Sequence, residues 1–319
     1  MKRNTTNLLL LLLPAFLVVT GCSDSNDNGM GESHERIELY VSGGGLTAAT
    51  RATVTDITPF DATVFATTRQ GVYTNLSGDY EWTKKVEVGA DRSVSFSSPT
   101  NPVPNYPVSG DWIYLTALAP EATAISDGVV SYTLDGTQDL LYAKEIKGNK
   151  WDNYRFAGNP ISSNDKPLAF EHLLTQLKFK AAKKTTGDGL SVTITKIIVQ
   201  KVNTKVSVAV ADGTPMFSNE SEVSLTLSDK TVTNTTPVEL GNLLLPPLTS
   251  GTYTITVETS VGTFADVPLA LADTDTQTHF HPGVSHEITL NITDTSLAIN
   301  TVTVSPWAPA TGGELDLIE

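Results

Sequence analysis

The amino-acid sequence predicts an all-β protein with two similar β-sandwich domains in series. The chain contains 45 threonines among 319 residues, crowded into Val/Ile/Thr runs such as residues 191–195, and these residue types favour strands. No segment of about 12 residues keeps the 3.6-residue period of an amphipathic helix. Short strand patterns separated by turn signals are typical of sandwiches. The length corresponds to two domains at roughly 100–200 residues each.

The N-terminus is typical of a bacterial lipoprotein, and residues 1–21 are predicted to be a signal peptide. Lys2 and Arg3 precede an apolar run of 12 residues at positions 8–19, shorter than the roughly 18 residues that a spanning helix needs. The run leads into Thr20-Gly21-Cys22, which resembles a lipobox, so Cys22 is the expected lipidation site, with acyl chains such as palmitate. The alternative is an ordinary secretory signal followed by a chance cysteine.

Residues 22–51 are predicted to be a lipidated leader that carries the first strand. Residues 23–29 are polar, acidic and without periodicity, as in a disordered tether. In residues 36–42, Ile37, Leu39 and Val41 alternate with polar neighbours, which indicates a half-buried strand. Three glycines then interrupt the pattern, and no phosphate-loop motif follows them.

Residues 52–166 are assigned to the N-terminal sandwich. Strands are predicted at 61–67, with Ala62, Val64 and Ala66 on one face, and at 112–118, 129–134 and 139–143. Prolines between positions 99 and 107 exclude a central strand there. Residues 144–166 are polar and rich in Gly, Asn and Lys, so we expect a long surface loop that crosses between the domains.

Residues 167–319 are assigned to the C-terminal sandwich, which includes a possible donor strand. Apolar and β-branched runs between Gly, Pro or Asn/Asp signals predict strands at 173–181, 190–202, 206–210, 223–227, 238–245, 253–259, 287–292 and 299–304.

The composition excludes several classes of function. A formal net charge of −14 argues against nucleic-acid binding, which needs basic patches. Residues 1–51 hold four of the 21 basic and five of the 35 acidic residues, so the acidity belongs to the rest of the chain. The single cysteine excludes an internal disulfide and a zinc site built from several cysteines.

No motif in the sequence indicates catalysis, and we expect neither a catalytic residue nor a cofactor. There is no Gly-x-Ser-x-Gly elbow, and His172 at the entry of an apolar strand is interpreted as a packing or capping residue. The four tryptophans are isolated in the sequence, and packing explains each. A cluster near position 280 resembles a metal site but is interpreted as a polar turn, so no metal is predicted; its members are Asp273, Asp275, His279, His281 and His286.

Several motifs, in order along the chain, are similar to those of the fimbrillin family, the type V pilins of Bacteroides-like bacteria. A Pro-x-x-Gly turn, an apolar strand and Ala-x-x-Pro occur at 107–120, and Asp-Leu-Leu-Tyr-Ala occurs at 139–143. The most recognisable match is Leu-x-Phe-x-His-x-Leu-x-x-Leu-x-Phe at 168–179, and the ending is matched by Pro282-Gly283 and by residues 302–307.

The resemblance implies a structural pilus subunit with two transthyretin-like sandwiches and no enzymatic activity. It implies export as an outer-membrane lipoprotein and cleavage by an arginine-specific protease, which removes the lipid with the first strand. The best match for the cleaved bond is Arg51-Ala52, and Arg36 is the second choice. Mature subunits would then form a cell-surface fimbrium that serves adhesion.

The physical counterpart of this maturation is strand exchange. Ile37, Leu39 and Val41 are the expected groove-filling residues, and their removal would expose a groove that accepts a strand from another subunit. The donor-strand candidates are Ile299, Val302 and Val304 in one segment, and Leu315 and Leu317 in another. The subunit's position as stalk, tip or anchor is left open.

A second hypothesis is a monomeric surface lipoprotein that retains its first strand and binds a glycan or a host protein. The two hypotheses predict different N-termini for the surface-exposed protein. A pilus subunit would start at Ala52, whereas a monomeric lipoprotein would start at an acylated Cys22. A secreted hydrolase is a third reading, but no motif favours it.

Overall fold

A computed structural model describes residues 35–43, 59–96, 102–151, 154–156, 167–184, 191–269, 279–293 and 297–306. These residues form strands, turns and bends, and none of them lies in a helix. The predicted all-β class is therefore confirmed. Within the described part of the chain there is accordingly no helix of the length and apolarity needed to cross a lipid bilayer.

The first nine strands lie between residues 41 and 172. They are β1 (Val41–Gly43), β2 (Phe60–Thr67), β3 (Trp82–Val88), β4 (Val94–Phe96), β5 (Ile113–Ala119), β6 (Ile125–Ser126), β7 (Val129–Thr133), β8 (Leu141–Gly148) and β9 (Leu168–His172). Seven of them form one sheet in the order β1-β9-β8-β5-β2-β3-β4. Its pairs are antiparallel except for β1 and β9, which are parallel.

Eight further strands complete the fold. They are β10 (Thr175–Lys183), β11 (Val192–Ala209), β12 (Pro215–Val232), β13 (Val238–Leu245), β14 (Thr254–Thr259), β15 (Gly262–Pro268), β16 (Val284–Ile292) and β17 (Leu297–Pro306). One sheet has the order β13-β10-β16-β17, and another has the order β15-β14-β11-β7-β6, with β12 also paired to β11.

Two strands pair with strands from the other side of residue 166, where the domains are predicted to divide. β9 follows residue 166 but pairs with β1 and β8 of the first sheet. β7 precedes that position but pairs with residues 205–209 of β11, whereas residues 194–199 of β11 pair with β14. The 18-residue β11 therefore joins both halves of the chain, and the division at residue 166 stays a prediction.

The pattern-based prediction missed some strands and shortened others. Residues 144–148 belong to β8 rather than to a loop, and β3, β4 and β15 were not predicted. β3 contains Lys84, Lys85 and Glu87, and β15 is largely exposed, so neither shows the apolar run on which the prediction relied. The predicted segments 190–202 and 206–210 are one strand, because the polar residues between them stay paired with β12, as in Asn203 with Glu220 and Lys205 with Ser218.

Three apolar cores hold the sheets together. The first core lies on one face of the seven-stranded sheet. The third core lies between the four-stranded sheet and strands β11, β12 and β14. The second contains Phe65, Leu118 and Tyr142 from the first sheet together with Val206 and Val208 from β11. Both faces of β2 are consequently buried: Ala62, Val64 and Ala66 lie in the first core, as predicted, and Phe65 lies in the second.

A close contact between Tyr142 and the β11–β12 turn fixes the second core. The Tyr142 hydroxyl donates to the carbonyl of Ala211 at 3.2 Å. Gly213 has φ +73°, and its N–H donates to the Ala209 carbonyl at 2.8 Å. A Cβ on Gly213 would lie 2.3 Å from the Tyr142 ring, so this turn requires glycine for both its backbone conformation and its packing.

We expect Gly213→Ala to lower the free energy of unfolding by about 2–4 kcal/mol, because left-handed strain and overpacking add together. Gly251→Ala is the matched control, since Gly251 has φ +77° with no atom within 4 Å of a Cβ and should cost only about 1 kcal/mol. Urea unfolding measures both values. Equal losses in the two variants would contradict the role of the Tyr142 contact.

We expect the fold to lose stability above about pH 10. Burial holds the pKa of Tyr73, Tyr106 and Tyr253 well above the ordinary value of 10. At high pH the unfolded state therefore releases protons that the folded state keeps, so the free energy of unfolding falls by about 1.4 kcal/mol per pH unit for each such tyrosine.

Urea unfolding on either side of about pH 10 tests this dependence. Tyr73→Phe removes one of these phenols and should reduce the slope of stability against pH by about 1.4 kcal/mol per pH unit. An unchanged slope in that variant would exclude Tyr73 as a contributor.

Candidate functional site

The segment at residues 35–43 alternates between solvent and interior over residues 36–39, and Tyr40 and Val41 that follow are both buried. Ile37, Leu39 and Val41 are only 1%, 4% and 2% exposed and belong to the first core, whereas Glu38 is exposed. At roughly 1.5–3 kcal/mol for each fully buried aliphatic side chain, this set contributes substantially to that core. The segment, called the leader strand below, therefore fills a position inside the fold.

The backbone of the leader strand is paired on both sides. On one side, the Ile37 N–H donates to the Pro104 carbonyl at 2.8 Å, and the Tyr106 N–H donates to the Glu35 carbonyl at 2.9 Å. On the other side, the Leu168 N–H donates to the Tyr40 carbonyl at 2.9 Å, next to the parallel pairing of Val41 with Leu168. Residues 104–106 and β9 are thus connected through this one segment.

A polar and aromatic contact holds the start of the leader strand. The Arg155 guanidinium donates from Nη2 to Glu35 Oε1 at 2.6 Å and from Nε to the Lys150 carbonyl at 2.8 Å. The Phe156 N–H donates to the Tyr106 hydroxyl at 2.6 Å, and the two rings stack at 5.8 Å. Because Arg155 and Glu35 are both partly exposed, the ion pair itself contributes at most about 1 kcal/mol.

The candidate cleavage and lipidation positions differ in what the structure describes. Cys22, Arg51 and Ala52 lie outside the described residues. Arg36 is exposed and forms an isolated antiparallel bridge with Asn105. Since the residues on either side of Arg36 are hydrogen-bonded, cleavage at Arg36 requires the leader strand to leave its position.

The first donor-strand candidate already has a place in the fold. Ile299, Val302 and Val304 lie on β17, where they pair with Leu290, Ile288 and His286 of β16. β17 is at the end of the four-stranded sheet, so among the described strands it has a neighbour on one side only. Leu315 and Leu317, which form the second candidate, lie outside the described residues.

The histidines do not form a metal site within the described part of the chain. The described residues include no cluster of three or more His, Cys, Asp or Glu that could hold a metal ion, and Asp273 and Asp275 lie outside them. His286 is fully buried against Phe280, at 4.7 Å between ring centroids. His172 is buried too, and its Nδ1 lies 2.8 Å from Asp139 Oδ2, which fits a packing role.

The fold brings together aromatic residues that are isolated in the sequence. Trp112 and Tyr154 meet edge to face at 5.1 Å, and Trp82 shares a surface cleft with Tyr80 and Asp79. Trp82 packs against Phe96, at 6.2 Å between ring centroids, and also lines this cleft together with an acidic residue. The short spacing of Asp79, Tyr80 and Trp82 is a signal in the sequence that could have indicated the cleft.

Comparison with known proteins gives one family and one set of folds. The sequence model of the fimbrillin-like family matches residues 50–307. No curated protein matches the chain. The match spans most of the chain and includes β2 to β17, but it begins after the leader strand.

Similar folds occur in three crystal structures of candidate cell adhesion proteins. The one from Bacteroides uniformis is 15% identical, covering 86% of this chain and 98% of its own, with a TM-score of 0.57. The one from Bacteroides ovatus is 14% identical, covering 88% and 100%, with a TM-score of 0.54. The one from Parabacteroides distasonis is 11% identical, covering 88% and 98%, with a TM-score of 0.52. At these identities the likeness concerns the fold alone.

We expect Leu39→Ala to lower the free energy of unfolding of the full-length chain by about 2–5 kcal/mol, because it leaves a cavity in the first core. Glu38→Ala, one position earlier on the exposed face, is the matched control and should change it by no more than about 0.5 kcal/mol. Denaturant unfolding measures both. Similar small effects would mean that the leader strand is not part of the cooperative fold.

Proposed function

Because the chain belongs to the fimbrillin-like family, we propose that it is a structural subunit of a cell-surface pilus, or fimbrium, that serves adhesion. The observation that carries the proposal is the family match over residues 50–307. This match begins after the leader strand, although that strand is buried in the first core. A segment that completes the fold but lies outside the family region fits a part that is removed on maturation.

The proposed maturation begins with export as an outer-membrane lipoprotein. Residues 1–21 are the signal peptide, Cys22 carries the lipid, and an arginine-specific protease cuts between Arg51 and Ala52, with Arg36 as the second choice. Several acyl chains at one cysteine anchor a protein far more firmly than the single chain that binds only marginally. Cleavage then releases the subunit from its anchor together with the leader strand.

Loss of the leader strand leaves a site for another strand. The N–H groups of Tyr106 and Leu168 and the carbonyl of Pro104 lose their partners, and the apolar walls around Ile37, Leu39 and Val41 lose their filling. Unpaired buried backbone groups cost free energy comparable to a lost hydrogen bond. An incoming strand restores both kinds of contact, which supplies the driving force for polymerisation by strand addition.

The donor is proposed to come from the C-terminal part of another subunit, which makes a head-to-tail contact that propagates into a filament. Ile299, Val302 and Val304 on β17 form one candidate set, and Leu315 and Leu317 form the other. The one-sided pairing of β17 within the described sheet supports the first set, because an edge strand gives up fewer bonds when it leaves.

We further propose that the sheets correspond to two transthyretin-like sandwiches, residues 52–166 and 167–319, joined through β7, β9 and β11. The first and third cores support this division, since each is built almost entirely from one half of the chain.

A monomeric surface lipoprotein that binds a glycan or a host protein is the second candidate function. The pairing of the leader strand on both sides favours it, because a protein that keeps this strand needs no partner strand to fill its first core. In that case the lipid at Cys22 remains attached.

We expect Arg51→Ala to abolish maturation, so that the surface form stays a full-length lipidated monomer and no filament forms. Arg36→Ala is the matched control and should mature and polymerise normally. N-terminal sequencing and electron microscopy of surface filaments provide the readouts. Normal polymerisation of Arg51→Ala would rule out cleavage at Arg51, and an acylated Cys22 on all wild-type surface protein would favour the monomer.

A further inference from the structure

A cleft of about 480 Å³ lies beside the first sheet, outside the proposed strand-exchange groove. One side comes from the chain around the start of β3, with Asp79, Tyr80, Trp82 and Lys84, and the other comes from residues 102–105. Its volume is within the range of roughly 300–1,000 Å³ that is typical of small-molecule sites. None of the lining residues belongs to the leader strand, although Pro104 and Asn105 pair with that strand through their backbone.

Two aromatic side chains form one wall of the cleft and are held in place by neighbours. The Tyr80 hydroxyl accepts the N–H of Val108 at 3.3 Å, and Trp82 packs edge to face against Phe96 at 6.2 Å. Both rings are half-buried. The wall therefore offers fixed aromatic surface to the cleft, which limits the entropy lost when a ligand packs against it.

The polar side chains around the cleft are available for a ligand. Among the described residues, no hydrogen bond or ion pair engages the side chains of Asp79, Lys84 or Asn105. The buried indole Nε1 of Trp82 likewise has no acceptor in the described part of the chain. Because that nitrogen is buried, it is not counted among the groups that meet a ligand in the cleft, which are the side chains of Asp79, Lys84 and Asn105.

The combination of groups favours an uncharged ligand with many hydroxyls. One carboxylate and one ammonium balance each other, so the lining selects neither an anion nor a cation. A purely apolar ligand would remove water from the carboxylate, the ammonium and the amide without giving them hydrogen-bond partners. Hydroxyls can donate to Asp79 and accept from Lys84 and Asn105, while the C–H face of a sugar ring packs on Tyr80 or Trp82.

We propose that this cleft is a binding site for a neutral saccharide. The inference rests on the proposed function as an adhesive surface subunit and names the class of ligand that adhesion would use. It assigns Asp79, Lys84 and Asn105 to the hydroxyl groups, and Tyr80 and Trp82 to the apolar face of the sugar.

The site is coupled to the strand-exchange groove through its second wall. The Pro104 carbonyl accepts the N–H of Ile37 at 2.8 Å, and Asn105 bridges to Arg36. The wall at 102–105 is therefore held by whichever strand fills the groove, which is the leader strand in the precursor and a donor strand in a filament.

Isothermal titration calorimetry of the full-length chain tests the proposal, in a detergent whose headgroup is not a sugar. The probes are D-galactose, D-mannose, L-fucose, N-acetyl-D-glucosamine and lactose. We expect binding of at least one of them, weakened about tenfold or more by Lys84→Ala and by Asp79→Asn, because each variant removes a charged hydrogen-bonding partner. Heat of binding with none of the five sugars would overturn the proposal.

Two controls separate the cleft from other surfaces. Lys85→Ala changes the next residue of β3, which does not line the cleft, and Trp151→Ala removes a tryptophan that is 57% exposed elsewhere. Both should bind as the wild type does. Loss of binding in Trp151→Ala with normal binding in Lys84→Ala and Asp79→Asn would place the sugar elsewhere and overturn the assignment.

Filament formation by the same variants keeps this proposal distinct from the proposed function. Lys84→Ala and Asp79→Asn should assemble normally, because neither residue contacts the leader strand. Normal assembly without sugar binding in the wild type overturns only the saccharide site. Sugar binding by a wild type that never assembles supports the saccharide site and argues against the pilus subunit.

Discussion

Backbone pairing along residues 35–43 connects residues 104–106, which lie outside the named strands, to β9 of the first sheet. Residues 104–106 and β9 are far apart in sequence, and each gives main-chain groups to this one segment. The side chains of Ile37, Leu39 and Val41 close the first core at the same place. Both kinds of contact can be made by any strand with the same alternation, because the pairing depends on backbone groups and the core depends on shape and apolarity. In the described structure this position is occupied by the chain's own residues 35–43, and the proposed strand exchange would fill it from another chain.

Much of the strand content follows from residue type alone, and the exceptions have physical causes. β13 lies at the predicted residues, 238–245, because its apolar residues are bounded by Pro237 on one side and by Pro246-Pro247 on the other. β11 could not be predicted as one strand, since its neighbour changes from β14 to β7 halfway along and the polar residues at the change look like a turn. β3 carries charged residues at the sheet surface. Exposed positions of a strand accept charged side chains, so this strand shows no apolar pattern in the sequence.

The candidate sites likewise combine features that the sequence indicates with features that depend on long-range contacts. The alternation that points Ile37, Leu39 and Val41 inward is local, so the sequence indicates it, but the partners of that strand come from residues 92–106 and 168 and emerge only from the folded chain. The cleft at Trp82 has one wall whose residues are close in sequence. Its other wall, residues 102–105, is brought there by long-range pairing, and no periodicity in the sequence encodes that meeting.

The length of β11 has a mechanical meaning for a surface filament. Its 18 residues run beside β12 for nearly their whole length and also touch β7 and β14. A pull directed along β11 loads these hydrogen bonds in shear, so many of them must rupture together, whereas β6 and β7 are paired at only two positions. In the proposed filament, tension passing from one half of the subunit to the other would therefore meet its strongest resistance in this strand, and a subunit without disulfides would still transmit the drag of flowing liquid.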